Sequence, residues 1–386
     1  MKKSYDIIII GGGIIGTSIA FEMAKRGYND ILIIEKKYLS AGQTGRCGAG
    51  IRQQWGSELN ATLAKDSVEI FEKLEEYTGY NDSCGLNQVG YLLLAYNEKE
   101  WKIFQENMKV QHKLGIESRI VDLEKEIFEI APSINTDGIF GATFCQTDGN
   151  AEPFQCTLAY AKGAQRLGVD ILTYTEVKEL IAKKGKIKGV RTTKGDFEAP
   201  MVINCANIWA PALSAQVGDE IPIFPERHQA LITEKVAPIG PNNTPMTMVM
   251  SWEHRFFCQQ LQNGSFIMGG IEAVPLSLNN ASWQNLEETC YVIGKTIPAL
   301  RNLRILRQWN GHFDVSPDHT PIISFSKNAE GLITVCGFSG HGFMIAPRTA
   351  VMVAKALCNE ADTIDIKKFS EERYFTNEML FEPAAL

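Results

Sequence analysis

The sequence predicts an α/β chain, α+β overall, with one βαβ-based domain built from discontinuous segments and a second domain of mixed, largely antiparallel sheet. Three observations predict it. Tyr5 to Ile10 is an apolar run with no polar alternation, the pattern of a strand buried on both faces of a parallel sheet. Gly11, Gly12 and Gly13 then turn the chain into a helical pattern from Ile14 to Arg26, and Ile31 to Glu35 makes a second buried strand. The patterning becomes β-rich twice, over residues 86–145 and 215–325, and returns to strand, glycine turn and helix near the end.

The elements follow in order. Ser40 to Arg52 is Gly-rich and too long for a tight turn, so it is expected as a loop laid against another part of the chain. A helix is expected over Asn60 to Tyr77, a strand over Val89 to Tyr96, an amphipathic helix over Glu98 to Leu114 and a return strand over Ile139 to Gln146. Proline in its first turn opens a helix from Pro153 to Gly168. Strands follow at Val169 to Tyr174, Glu176 to Ala182, Lys186 to Thr192 and Met201 to Ala206, with a hairpin turn at Lys184-Gly185. Next come strands at Ala230 to Thr233, Arg255 to Gln260 and Ser265 to Gly270, and a helix over Asn285 to Thr296. The last unit is the strand Leu332 to Val335, followed by a glycine turn and a helix within Gly337 to Leu357. The expected division is 1–85, 146–214 and 326–386 for the first domain, and 86–145 and 215–325 for the second.

Composition narrows the function classes. At 386 residues, with 45% apolar and 22% charged side chains, the chain can bury a large core and shows no disordered tract. A net charge of −7 is the wrong sign for tracking phosphates, so nucleic acid is not an expected partner. The nine cysteines include no CxxC pair, which removes the usual zinc, iron-sulfur and dithiol motifs; no metal is expected. Reduced thiols fit a cytoplasmic protein. The stretch Ile7 to Ala20 resembles the apolar part of a signal peptide, but three glycines interrupt it and no A-x-A site follows. No stretch reaches 18 uninterrupted apolar residues, so no transmembrane segment is expected.

The chemistry starts at Gly11-x-Gly13-x-x-Gly16, which lies between a strand and a helix. Two glycines let the backbone turn and approach a pyrophosphate, and the third lets helix pack on strand. Glu35 follows about 20 residues later, where an acid accepts ribose hydroxyls. The helix N-terminus supplies free N–H groups to the phosphates. This Rossmann-like signature suits NAD or FAD. The interruption of the sheet after the second strand favours FAD. Gly337-Phe338-Ser339-Gly340-His341-Gly342-Phe343-Met344 follows a strand and opens a helix, so glycine backbone and helix N–H groups are available to a flat ring that gains negative charge on reduction. A tight strand-to-helix turn is the plain alternative.

Tyr5 to Gly16, Thr44 to Gln54, Gln308 to Ile322 and Gly337 to Pro347 together resemble the D-amino-acid-oxidase-type, DadA-like FAD amine oxidoreductases over nearly the whole chain. Within that family the chain is most similar to the β subunits of heteromeric dye-linked L-proline dehydrogenases and sarcosine oxidases. The resemblance implies an FAD-binding domain, a substrate domain between its segments, and oxidation of an amino acid's C–N bond to the imine by hydride transfer to flavin N5.

The resemblance also implies site residues. FAD contacts are expected from Gly11, Gly13, Ile14, Ile15, Gly16, Glu35 and Lys36, and from Gln43, Thr44, Gly45, Arg46, Gly50 and Ile51 in the loop. Val177, Ala206, Trp209 and Gly311 add to these, as do Gly337, Ser339, Gly340, His341, Gly342, Phe343 and Met344. Arg52 falls where sarcosine oxidases hold the substrate carboxylate, a role that suits a guanidinium's bidentate geometry; pairing with a structural acid or with FAD is the alternative. His341 is expected at the flavin, and His254 and His312 on segments that could face the ring; His112, His228 and His319 are read as ordinary.

Three departures from the family pattern matter. Gly311 stands where monomeric sarcosine oxidases carry a flavin-linking cysteine, so FAD is expected to be non-covalent. Phe313 replaces the carboxylate-binding arginine of glycine oxidases, which argues against glycine. Ile267 and Met344 stand where lysines assist the reaction with oxygen, so a different electron acceptor is expected. The leading expectation is a dehydrogenase for a small secondary or cyclic amino acid, L-proline or sarcosine-like. A self-sufficient oxidase of sarcosine, glycine or a D-amino acid, producing hydrogen peroxide, and a non-catalytic electron-relay subunit stand beside it. The β-subunit resemblance implies a hetero-oligomer, an FMN shared with a partner subunit, and a cytoplasmic location, at the inner membrane face where partners bring it there.

Overall fold

The computed structural model describes residues 2–275 and 281–383. Met1, residues 276–280 of the expected 215–325 segment and residues 384–386 of the expected 326–386 segment lie outside the described residues.

A six-stranded sheet runs in the order Ile322–Phe325, Leu332–Cys336, Met201–Asn204, Ile7–Ile10, Ile31–Ile34, Asp170–Leu172. All its pairings are parallel except the first. The apolar runs are continuous because both faces are covered. Ile7, Ile9, Ile31 and Ile33 point into one apolar cluster with the helices Ile14–Lys25, Pro153–Arg166 and Gly342–Leu357. Ile8, Ile10, Leu32 and Ile34 point to the other face, where Leu180, Ile187, Val190 and Phe197 of a small antiparallel sheet cover them. Each such isoleucine contributes about 1.5–3 kcal/mol by burial, so a polar residue at any of these positions would open one face of the sheet.

The small sheet contains the expected hairpin: Lys184 and Gly185 both have positive φ, 53° and 70°, as a two-residue hairpin turn requires. An eight-stranded sheet forms the second layer system, in the order Ile305–Val315, Phe224–Lys235, Ser265–Pro275, Phe256–Gln260, Met248–Ser251, Tyr91–Ala95, Gly141–Cys145, Ser118–Ile120. Its one parallel pairing joins Met248–Ser251 to Tyr91–Ala95.

The structure corrects several expectations. Ile322–Phe325 lies before the expected boundary at 326, yet pairs in the six-stranded sheet. The helix expected over Asn60 to Tyr77 starts at Glu58, because Ser57 caps it by accepting from the Asn60 N–H, and it is divided into Glu58–Phe71 and Leu74–Thr78. Ile305–Val315 is a strand that the pattern hid, because Arg307, Gln308, Asn310 and His312 break the alternation along a sheet edge. The expected glycine turn is present before the last helix, which starts at Gly342. Gly337, Ser339 and Gly340 have φ of 73°, 49° and 87°, which a right-handed helix cannot contain. Among the described residues no helix is long and apolar enough to cross a membrane.

Candidate active site

A cleft of about 680 Å³ opens at the carboxyl ends of the parallel strands and extends to the eight-stranded sheet, within the size range of cofactor sites. Gly11, Gly13, Ile14, Ile15, Gly16, Glu35 and Lys36 line one end. The backbone here has no room for side chains: a Cβ on Gly16 would stand 2.0 Å from the Gly11 carbonyl oxygen, and one on Gly11 2.6 Å from that of Cys205. Gly13 brings no capping side chain to the helix it precedes, and Thr44 Oγ1 accepts only the Ile14 N–H, at 3.1 Å. That leaves helix N–H groups for an anion. Glu35 accepts from the Gly12 and Lys37 N–H groups, both at 2.8 Å, and its carboxylate keeps capacity for ribose hydroxyls. Lys36 pairs with Glu176 at 3.1 Å.

The Gly-rich loop bridges the two sheets. His312 N donates to Gln43 Oε1 at 2.6 Å, Arg46 Nη1 to the Asn310 carbonyl at 2.9 Å and Trp309 Nε1 to the Arg46 carbonyl at 3.0 Å. Gln43, Thr44 and Arg46 thereby line the cleft with Val177, Ala206, Trp209, Gly311 and His312. Burial, followed by the charges of Arg46 and Arg227, pushes the His312 pKa down, so the ring is neutral. At the far end Gly340, Gly342, Phe343 and Phe313 complete the wall. Phe313 packs so closely on Gly340 that a Cβ there would meet its ring at 2.3 Å.

Several expected contacts stand behind this wall. Gly45 lies against Ser40 and Phe154, and Gly50 and Ile51 form a short ladder with Asn150 and Gly149. Gly337 and Ser339 are bonded to the segment 314–316, and Met344 is buried in the helical core. These residues shape the cleft without lining it. His341 is buried between Gly340 and Gly342, edge-on to Trp55 with ring centroids 4.3 Å apart, and its Nε2 has no hydrogen-bond partner among the described residues. Burial first, then Arg52, hold its pKa well below the ordinary histidine value. His254 is a correction: its ring packs on Tyr96 at 4.0 Å and does not line the cleft. The tip of its hairpin directs Trp252, not His254, towards Arg52.

Arg52 is buried, with its guanidinium carbon 3.9 Å from the Trp55 ring centroid and 5.5 Å from that of Trp252. Burial lowers its pKa, while Tyr91, Glu382 and Asp148 oppose the shift; an arginine remains charged here. Its loop is held from both sides. Asp148 accepts Gln53 N at 2.8 Å, Gln53 Nε2 at 3.1 Å and Gln54 Nε2 at 3.1 Å. Glu382 accepts from the backbone of Gly56 and Ser57 and from the Asn60 side chain. Burial pushes the Asp148 carboxyl up to about 6, against those hydrogen bonds. Sequence reasoning missed Asp148, Trp55, Trp252 and the cleft-lining Asp314; Asp148-Gly149 is a turn signal, and Asp314 lies in the quoted block beside Gly311.

A second cavity, of about 690 Å³, lies on the other side of the same loop and shares Ala41, Arg46 and Cys47 with the cleft. The Cys47 thiol donates to the Thr44 carbonyl, and burial pushes its pKa up to about 12, so it is not a thiolate nucleophile. Among the described residues no cluster of His, Cys, Asp or Glu could hold a metal ion.

The glycine cradle, the free helix N–H groups, Glu35 and the 680 Å³ cleft fit FAD, and comparisons with known proteins agree. The sequence model of the FAD dependent oxidoreductase family, DAO, matches residues 6–356. The crystal structure of L-proline dehydrogenase from P. horikoshii superposes with a TM-score of 0.91 at 36% identity, covering 98% of this chain and 100% of that one. The sarcosine oxidase β subunit of Rhodobacter capsulatus is 26% identical, over 97% of this chain and 90% of the relative. That of an Arthrobacter species is 28% identical, over 100% of this chain and 94% of the relative.

Proposed function

The chain belongs to the FAD dependent oxidoreductase family, and from that premise we propose that it oxidises the C–N bond of a small secondary or cyclic amino acid, L-proline or sarcosine-like, as a dehydrogenase. The observation that carries this reading is Arg52, a fixed cation between Trp55 and Trp252, next to the His341 that separates the two cleft-lining glycines. A buried guanidinium flanked by two indole rings is suited to a small carboxylate, which it takes by two parallel N–H bonds.

Bound FAD supplies the two-electron acceptor for the C–N bond. The chain's own residues bind and orient. Arg52 holds the carboxylate, and Trp55 and Trp252 keep water from the charge pair, which strengthens it. His341, held neutral, adds no second positive charge beside the amine. The substrate enters the reaction as the free amine, whose nitrogen lone pair drives the hydride from carbon and leaves the iminium, which becomes the imine when its N–H proton passes to solvent. The ammonium proton is lost to solvent beforehand, so no protein base is required.

Electrons leave to an acceptor other than oxygen, through other subunits of a hetero-oligomer. Two features support this: Ile267 and Met344 bring no cation to the site, and the second cavity meets the cleft at Arg46 and Cys47. That cavity is where an FMN shared with a partner subunit would approach. The test is anaerobic bleaching of the flavin spectrum by L-proline, sarcosine, D-proline and glycine in turn, followed by air. Bleaching by a secondary amino acid with slow recovery is the expected result. Rapid recovery with stoichiometric hydrogen peroxide contradicts the dehydrogenase reading, and no bleaching by any of the four contradicts the substrate class.

A further inference from the structure

Asp314 is a buried carboxylate on the cleft wall, at the end of the Ile305–Val315 strand. Its Oδ2 accepts the Gly337 N–H at 2.7 Å, and its backbone carbonyl accepts the Ser339 N–H at 3.2 Å. Phe338 N–H and the Asn207 side chain also donate to the carboxylate. Two residues further along the strand, Ser316 N donates back to Ser339 Oγ at 3.1 Å. The segment 314–316 therefore grips a turn in which Gly337, Ser339 and Gly340 are all left-handed. Ser339 adopts that conformation at a cost of about 1 kcal/mol, so the turn needs such a grip.

Among the described residues, the strongest stabilisers of this charge are backbone N–H groups and the Asn207 side chain. Burial pushes the carboxyl up to about 6, and the N–H groups oppose the shift, so it is ionised in neutral solution. A neutral amide accepting one backbone bond would hold the turn almost as well. The carboxylate adds a fixed negative charge to a wall that it shares with Asn207, Gly311, neutral His312, Phe313, Gly340 and Phe343.

We propose that Asp314 is a positioning residue for FAD with an electrostatic effect of its own: it clamps the Gly337–Gly342 turn onto the cleft, and its negative charge lowers the reduction potential of the bound flavin. Electrons added to the ring increase negative charge in the cleft, and a fixed anion in a low-dielectric wall opposes that. The clamp governs retention of the cofactor, and the charge governs its potential. The inference rests on FAD binding and is independent of the substrate assigned above.

The test uses the holoenzyme at about pH 8, where the carboxylate is ionised, with two readouts that need no substrate: the midpoint potential and the rate of flavin release. Asp314→Asn keeps one acceptor and removes the charge, so the potential shifts positive while flavin release changes by less than about threefold. Asp314→Ala removes the clamp, so flavin leaves about tenfold faster or more, the equivalent of roughly one strong hydrogen bond. An unchanged potential in Asp314→Asn overturns the electrostatic role, including when that variant is merely less stable. Unchanged release in Asp314→Ala overturns the clamp. If the alanine variant fails to fold, Asp314→Asn decides alone. Failure of either prediction leaves amine oxidation untouched, because no amine is used.

Discussion

Asp148 and Asp314 are buried carboxylates on opposite sides of the site, both pushed up to about 6 by burial and both accepting several N–H bonds. They differ in what they grip. Asp148 takes the Gln53 and Gln54 side-chain amides, together with the Gln53 N–H, and so holds the loop that carries Arg52. Asp314 takes backbone N–H groups of a left-handed turn and holds the glycines that line the cofactor cleft. Similar chemistry therefore fixes two different things: the loop of Arg52, proposed to take the substrate carboxylate, mainly through side-chain amides, and a cleft-lining backbone, mainly through its own peptide groups. Losing the first should affect substrate, and losing the second should affect flavin.

The largest expected effect breaks the substrate side outright. Arg52→Lys keeps the charge but loses the planar two-bond geometry. Steady-state kinetics with the active amino acid should show kcat/KM falling by about 100-fold or more, with the flavin spectrum unchanged. Next, Asp148→Ala frees buried amide donors at about 1–3 kcal/mol each. Calorimetry should show a lower unfolding midpoint by about 5 °C or more, and kinetics a KM raised about tenfold while flavin release stays as in the wild type. Asp314→Ala should give the converse pattern, and equal effects on KM and flavin release in both variants would dissolve the distinction.

The two carboxyls also share a pH signature. Each is near 6 in the folded chain against an ordinary value of 3.8, so between those values the folded state binds more protons than the unfolded one. Stability therefore falls as pH rises through that window and is higher towards its acid end. Across the whole window each carboxyl accounts for on the order of 3 kcal/mol. Buried neutral His341 and His312 act the other way over the same range, so the readout is a difference: from about pH 7 to about pH 5 the unfolding midpoint of the wild-type holoenzyme should shift upward relative to that of Asp148→Asn. The smallest effect is expected from Gln54→Leu, which removes the bonds to Asp148, the Tyr91 carbonyl and Thr143. A KM increase of about threefold, without a change in flavin release, would match one lost neutral-to-charged bond weakened by local rearrangement.

Much of the cofactor side is legible in the sequence because its signals are local. The unalternating isoleucines of Ile7–Ile10 and Ile31–Ile34, the spacing of Gly11, Gly13 and Gly16, and Glu35 lie within one βαβ unit, where short-range sterics determine the outcome. The substrate side is not local. Arg52 meets Trp252 only because the Met248–Ser251 strand lies beside Tyr91–Ala95, a pairing that no spacing in the sequence announces. His254 and Trp252 share one hairpin tip, and which of them faces Arg52 depends on the sheet that carries the tip, which no local pattern encodes. Asp148 and Asp314 carry no motif of their own, and their importance appears only when the donors around them are seen. The glycine turn before Gly342 is legible from Gly337 and Gly340, whereas the left-handed conformation of Ser339 is not, because serine does not announce a positive φ.

The central claim is that Arg52 selects a carboxylate for C–N oxidation at the flavin. It is tested most directly by anaerobic bleaching of the wild-type flavin with L-proline and, separately, with pyrrolidine, the same ring without the carboxylate. The account predicts bleaching by L-proline and none by pyrrolidine over the same time. Equal bleaching by both would contradict it.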